Sequence, residues 1–283
     1  MAEPAGDSPE LFHGLPSRTL TLPGGDSLRV LLHGAQLVSW IADGRERLYL
    51  SPRAKFDGKS AIRGGVPVCF PQFNQRGPLP KHGFARNMSW QLLAPPEQGP
   101  AAARLTLQLA ASAATRQFWP HTFEATLALE LRPGSVQLTL DVRNTDRVPL
   151  DFTGALHTYL AVDDIAAAQL TGLEGQAEWD ALSDRHALAA GPLRFAGEFD
   201  RVYDAAARAL LLQDGLGRLV IEQSPGFAQT VVWNPGAAQG AALADLPADG
   251  YARMLCVEAA QVMRPITVPA GGAWQGWQRL SVG

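Results

Sequence analysis

Residues 62–90 read IRGGVPVCFPQFNQRGPLPKHGFARNMSW and set one imidazole, His82, among the guanidinium groups of Arg63, Arg76 and Arg86. Guanidinium offers forked donors that match phosphate or carboxylate, and imidazole can donate or accept a proton near neutral pH. Pro67, Pro71, Pro78, Pro80, Gly64, Gly65, Gly77 and Gly83 interrupt the same stretch. That density of proline and glycine excludes a regular helix or a central strand. A loop of fixed shape that carries cations reads as a binding wall. A single arginine is ordinarily a solvated surface group, but Arg63 and Arg86 on one glycine-rich segment favour recognition of an anion. Neither G-x-x-x-x-G-K-[ST] nor G-x-G-x-x-G occurs, so the loop is not a nucleotide cradle.

Two further residues carry acid–base potential. Over 151–162 (DFTGALHTYLAV), strand alternation places Asp151, Thr153, Ala155, His157 and Tyr159 on one face and Phe152, Leu156, Leu160 and Val162 on the other. The second face is core; the first is small and polar, as a ligand-facing surface would be. Over 253–259 (RMLCVEA), Glu258 shares a face with Met254 and Cys256. A carboxylate among apolar neighbours is costly to bury unpaired. Glu258 therefore reads either as a strand-end group reaching water or as a general base tuned by partial burial. Asp200, in the run DRVY, and nearby Asp204 are both candidates, and residue chemistry does not rank them. His13, His33, His121 and His186 have no supporting context. Trp119 and Trp233 read as core aromatics in preference to sugar platforms.

Short alternating segments must position these groups. Phe123–Leu131, Val136–Val142 and Arg104–Leu109 alternate apolar and polar residues, the pattern of half-buried strands. Similar runs lie near 18–22, 27–33, 35–41, 46–50, 88–93, 209–213, 218–223, 229–233, 252–259, 264–268 and 274–281. Turn pairs such as Asp43-Gly44, Asp214-Gly215 and Gly271-Gly272 separate them. The alanine-rich pieces at 165–168, 205–209 and 237–244 are each expected to hold a helical turn. With no repeat and no break in composition, the expectation is one large antiparallel β-sandwich over 13–283, preceded by a loose arm over 1–12.

Composition excludes several classes. The chain has 283 residues, 46% of them hydrophobic, enough for a sizeable core, and a net charge of −3. That balance argues against a nucleic-acid partner, while leaving room for a small anionic substrate. Cys69 and Cys256 are the only cysteines; they form no disulfide framework and read as buried thiols in a reducing compartment. No His/Cys cluster has zinc-site spacing. The start, MAEPAGDSPE, is not a secretory signal, and no apolar run is long enough for a membrane helix. The expectation is a cytoplasmic protein with no membrane partner, its oligomeric state open and compatible with a monomer.

Seven segments in order, RGGVPVCFPQF (63–73), PKHGFAR (80–86), ALHTYLAV (155–162), DRVY (200–203), WNP (233–235), MLCVEAA (254–260) and PAGGAWQGWQRL (269–280), resemble the hexose-6-phosphate 1-epimerase branch of the aldose 1-epimerase superfamily. The resemblance spans roughly residues 20–282. It implies the galactose-mutarotase-like sandwich, a hexose 6-phosphate as small-molecule substrate, most readily D-glucose 6-phosphate, and no cofactor or metal. By position it implies that His157 and Glu258 are catalytic, and that His82, Asp200, Arg63 and Arg86 contact substrate. Lys81 stands where the family's PQHG form has glutamine, which adds a cation at the pocket rim. The alternatives are an aldose 1-epimerase acting on unphosphorylated hexose and a non-catalytic sugar-binding protein on the same fold. A glycoside hydrolase built on Asp200 and Glu258 would leave His157 without a task.

Overall fold

A computed structural model describes residues 10–204 and 208–283. Its strands form three sheets with antiparallel ladders. A five-stranded sheet runs Glu10–Phe12, Leu15–Thr21, Ser27–Leu31, Leu37–Ala42, Arg45–Glu46. A nine-stranded sheet runs Gln169–Thr171, Leu210–Asp214, Gly217–Gln223, Ala273–Val282, Ser135–Asn144, Phe123–Arg132, Ala103–Ala110, Gln91–Leu92, with Glu97–Gln98 also on Ala103–Ala110. An eight-stranded sheet runs Arg185–Leu188, Ala177–Asp180, Phe199–Asp204, Gln229–Asn234, Met254–Val268, Leu150–Leu156, Val68–Cys69, and Tyr159–Ala161 also pairs with Met254–Val268.

The alternation explains the layers. Leu127, Leu129, Leu138, Leu140 and Leu280 of the nine-stranded sheet are buried in one cluster with Leu156, Leu160, Val232, Leu255 and Val257 of the eight-stranded sheet. The inner faces of the two large sheets therefore share a core, and their polar positions face outward. Polar links also cross between these sheets, one of them at Gln278. Gln278 donates to the Val257 carbonyl at 3.0 Å and accepts from the Thr158 hydroxyl. A fully buried amide keeps its place because both of its ends are satisfied.

Several sequence expectations shift in detail. The runs near 252–259 and 264–268 are one strand, Met254–Val268. Its register on Leu150–Leu156 slips between Phe152 and Gly154, and Pro265 lies in that irregular stretch, where a missing N–H breaks no ladder bond. The run near 46–50 pairs as a strand only over Arg45–Glu46; Leu48 and Leu50 make isolated bridges to Leu160 and Gly64. Of the expected arm, 1–9 lie outside the described residues, while Glu10–Phe12 pair with Leu15–Thr21.

Of the alanine-rich pieces, 165–168 makes one hydrogen-bonded turn, with Ala168 N donating to Asp164 O at 3.1 Å. The piece at 237–244 is helical over 237–242, within the helix Gly236–Ala242, and 205–207 lie outside the described residues. The helix Ala113–Phe118 was not anticipated from periodicity. Its signal is the cap: Ser112 Oγ accepts from Thr115 N, and Thr115 Oγ1 accepts from Ser112 N.

Candidate active site

The eight-stranded sheet turns its other face to a cavity of about 350 Å³. Cross-strand register sets out the cavity floor. Asp200 lies opposite Trp233, Trp233 opposite Cys256, and Cys256 opposite Tyr159. In the adjacent row Val202 lies opposite Val231, and Val231 opposite Glu258. Leu156 pairs with Ala259, so the chain next delivers His157 beside Glu258, where one strand ends before the next begins. At that break the His157 N–H donates to the Pro67 carbonyl at 3.0 Å, and Val257 N–H donates to Thr158 O at 3.1 Å. The imidazole is thereby held to the proline-rich loop on one side and to the sheet on the other.

His157 Nε2 lies 3.5 Å from Glu258 Oε1, and their side chains are only 9% and 1% exposed. Burial, reinforced by the charge of Asp200, pushes the Glu258 carboxyl well above the usual carboxylate range. Burial first, then the charges of Arg86 and Arg63, push His157 down to about 3. Both shifts favour neutral groups, so the pair holds one proton between two sites. Moving that proton from carboxyl to imidazole creates no net charge in the cavity. Glu258 Oε2 and His157 Nδ1 have no hydrogen-bond partner among the described residues. The Asp200 carboxyl group has no hydrogen bond or ion pair among the described residues, and burial with the nearby charge of Glu198 pushes it up to about 6.

The proline-rich loop forms the opposite wall and rim. Its two-residue strand Val68–Cys69 is an edge strand, and Ala85–Asn87 make one 3-10 turn, as the composition requires. His82 sits at φ +64° and lines the cavity. Its Nδ1 accepts the Asn74 N–H at 3.3 Å and lies 3.2 Å from Cys69 Sγ. The ring proton is therefore on Nε2, and burial keeps the imidazole neutral. Gly83, at φ +70°, explains how the chain turns here: a Cβ would stand 2.1 Å from the Phe70 carbonyl oxygen.

Arg63 Nε and Nη2 reach Asp245 Oδ1 at 3.2 and 3.1 Å, and Nη1 donates to the Tyr159 hydroxyl at 3.0 Å. Arg86 Nη2 donates to the Lys81 carbonyl at 2.8 Å. Arg63, Lys81 and Arg86 all line the cavity, and Lys81 is exposed at its rim. Three cations thus stand at one wall, and the carboxylates of Asp200 and Glu258 lie on the floor.

Every site residue expected from the sequence, His157, Glu258, Arg63, Lys81, His82, Arg86 and Asp200, lines this one cavity. Asp204 is exposed and lies outside it, which separates the two acids that residue chemistry left equal. Arg76 does not line the cavity; its guanidinium lies 4.7 Å over the Trp179 ring. The core reading holds for Trp119, which is buried in the main cluster; Trp233 is half-buried, packs against the small cluster of Tyr159, Leu246, Met254 and Cys256, and also lines the cavity. Register puts Trp233 on the Asp200 face, where its ring lines the cavity. Asp245 was missed, and nothing in its local sequence marks it; it follows the helix Gly236–Ala242 in an irregular segment.

The aldose 1-epimerase family model matches residues 17–281. The chain belongs to the aldose 1-epimerase family. Curated relatives agree with the match. A Cenchrus ciliaris protein named "Putative glucose-6-phosphate 1-epimerase" is 37% identical over 263 residues, 89% of this chain and 80% of that one. An Escherichia coli K12 protein of the same name is 39% identical over 236 residues, 81% of this chain and 78% of that one. Among solved structures, a Salmonella typhimurium protein described as a "putative mutarotase" superposes with a TM-score of 0.89 at 29% identity, over 100% of this chain and 96% of that one. A Clostridium acetobutylicum galactose mutarotase-like protein shares the fold with a TM-score of 0.76 at 14% identity, over 97% of both chains. The aldose 1-epimerase scaffold here is the galactose mutarotase-like β-sandwich expected from the alternation and the resemblance. No helix among its described residues is long and apolar enough to cross a membrane.

Proposed function

We propose that the protein interconverts the α and β anomers of a hexose 6-phosphate, with D-glucose 6-phosphate as the preferred sugar. The observation that carries this reading is the buried His157–Glu258 contact of 3.5 Å on the floor of a cavity rimmed by Arg63, Lys81 and Arg86. Glu258, as carboxylate, removes the proton from the anomeric hydroxyl. The C1–O5 bond breaks, C1 becomes a carbonyl, and His157, as imidazolium, protonates O5. Rotation about C1–C2 presents the other carbonyl face. O5 then returns its proton to His157, attacks C1, and the new anomeric oxygen takes a proton from Glu258.

A carboxylate and an imidazole that share one proton suit a reaction that begins and ends with the same proton count. Asp200 and the Nε2–H of His82 orient sugar hydroxyls, and Trp233 offers an apolar ring face. The phosphate lies at the wall of cations. Relatives named for glucose 6-phosphate support the phosphorylated sugar over a free one. Such a substrate fits the cytoplasmic location expected from the sequence.

The test is anomer exchange by saturation-transfer NMR on glucose 6-phosphate, glucose and galactose, with the spontaneous rate in buffer subtracted. Acceleration greatest for glucose 6-phosphate supports the proposal. Preference for a free hexose would move the assignment to an aldose 1-epimerase of unphosphorylated sugars, and no acceleration on any sugar would point to a binding protein.

A further inference from the structure

We infer that Tyr159 is a positioning residue that joins the anion-binding rim to the catalytic imidazole. Its ring sets the plane of His157, and its hydroxyl ties that ring to Arg63. The inference rests on the proposed anomer exchange of a hexose 6-phosphate.

The geometry is specific. The Tyr159 and His157 rings stack with centroids 4.8 Å apart and planes 8° from parallel. Trp233 meets the Tyr159 ring edge-on, with centroids 6.2 Å apart at 83°. The backbone is fixed as firmly: Tyr159 pairs with Cys256, its N–H donates to the Gly65 carbonyl, and its own carbonyl accepts from Tyr49 N, both at 2.9 Å. A ring so placed has little freedom to turn, so the imidazole lying flat against it has little either. His157 needs that restraint, because its Nδ1 has no hydrogen-bond partner among the described residues. In many catalytic histidines a bond at the second nitrogen orients the ring; here stacking takes that part.

The hydroxyl extends the link outward. The Tyr159 oxygen accepts from Arg63 Nη1 at 3.0 Å, and Asp245 holds the other edge of the same guanidinium. Burial keeps the phenol protonated, and its O–H proton has no acceptor among the described residues. An anion that draws on Arg63 therefore pulls on a group bonded directly to the ring that backs His157. The phosphate, remote from C1, would then help to orient the acid that acts at O5, which is how binding energy far from the reacting bond raises turnover.

The experiment compares Tyr159→Phe and Tyr159→Leu with the unmodified protein in anomer exchange of glucose 6-phosphate and of glucose. Tyr159→Phe keeps the stack and loses the tie. Its KM for glucose 6-phosphate should rise about tenfold, the scale of one charge-assisted hydrogen bond, with only a small fall in kcat. Tyr159→Leu loses the stack as well, and kcat should fall roughly 10- to 100-fold for both sugars. Recovery of kcat in the phenylalanine variant relative to the leucine variant is the signature of positioning.

A second readout needs no turnover: the ¹⁵N resonances of the His157 ring during titration with inorganic phosphate. Saturating phosphate should shift them in the unmodified protein and shift them less than half as far in Tyr159→Phe. Equal shifts in the two proteins, or equal kcat in the two variants, would overturn the inference. If no sugar is turned over, the proposed function fails, and the phosphate titration still decides the link between Arg63 and His157 by way of Tyr159.

Discussion

Glu258 and His157 face each other across a break in the strand ladder, with Oε1 3.5 Å from Nε2 and both groups withdrawn from solvent. The sheet carries Glu258 in mid-strand, while His157 occupies the gap between Leu150–Leu156 and Tyr159–Ala161. The His157 N–H donates to the Pro67 carbonyl, which continues the register that sets Leu156 opposite Val68, and so ties the cavity floor to the cation-bearing wall.

Removing either member of the pair should disable exchange without unfolding the protein. Glu258→Gln and His157→Ala are each expected to lower the exchange rate by about 10²-fold or more, the scale of a general acid–base group. Saturation-transfer NMR measures the loss, and circular dichroism checks the fold. A folded Glu258→Gln protein with normal exchange would sink the mechanism.

The floor carboxylates should oppose stability as pH rises. Asp200 is pushed from 3.8 to about 6. Between these values the folded protein keeps a proton that the unfolded chain releases, so the contribution of this group falls as pH rises through the window. Glu258, also pushed up, acts with the same sign. Asp200→Asn should therefore be more stable than the unmodified protein at pH 8, by roughly 1–2 kcal/mol after discounting for partial exposure, and show no gain at pH 4. Urea titrations at the two pH values decide this; a less stable variant at pH 8 would refute it.

Phosphate recognition should appear as a difference between substrates. Arg86→Ala is expected to lower kcat/KM for glucose 6-phosphate by roughly 10- to 100-fold more than for glucose, from about 1.5–3 kcal/mol per hydrogen bond to a charged group. Arg63→Ala should show the same preference with an added general loss, because it also releases Tyr159 and leaves Asp245 unpaired. Equal losses on both sugars in Arg86→Ala would assign that arginine to the ring or to the fold.

The turn that holds His82 should tolerate no side chain at the next position. In Gly83→Ala the new Cβ would meet the Phe70 carbonyl at 2.1 Å while the backbone stays at φ +70°. Strain of about 1–3 kcal/mol, with overlap in addition, should lower the urea midpoint and impair exchange together. A variant with unchanged stability and activity would show that the loop can open without cost.

The sequence by itself determined the layers and much of the site. Alternation over Phe123–Arg132 and Ser135–Asn144 sends every second side chain into the core, because a strand has only two faces. The same period put His157 with Tyr159, and Glu258 with Cys256, on faces that the structure turns to the cavity. Proline and glycine in 62–90 marked the shaped wall, since both restrict where a ladder can run. Tertiary structure alone decided which faces meet. Strand order and register bring Asp200, Trp233, Cys256 and Tyr159 into one row from segments far apart in the chain, and no local period encodes that pairing. For the same reason Asp245 could not be read in advance. Its role comes from 182 residues of sequence separation closed by a contact to Arg63, and only the folded chain brings the two together.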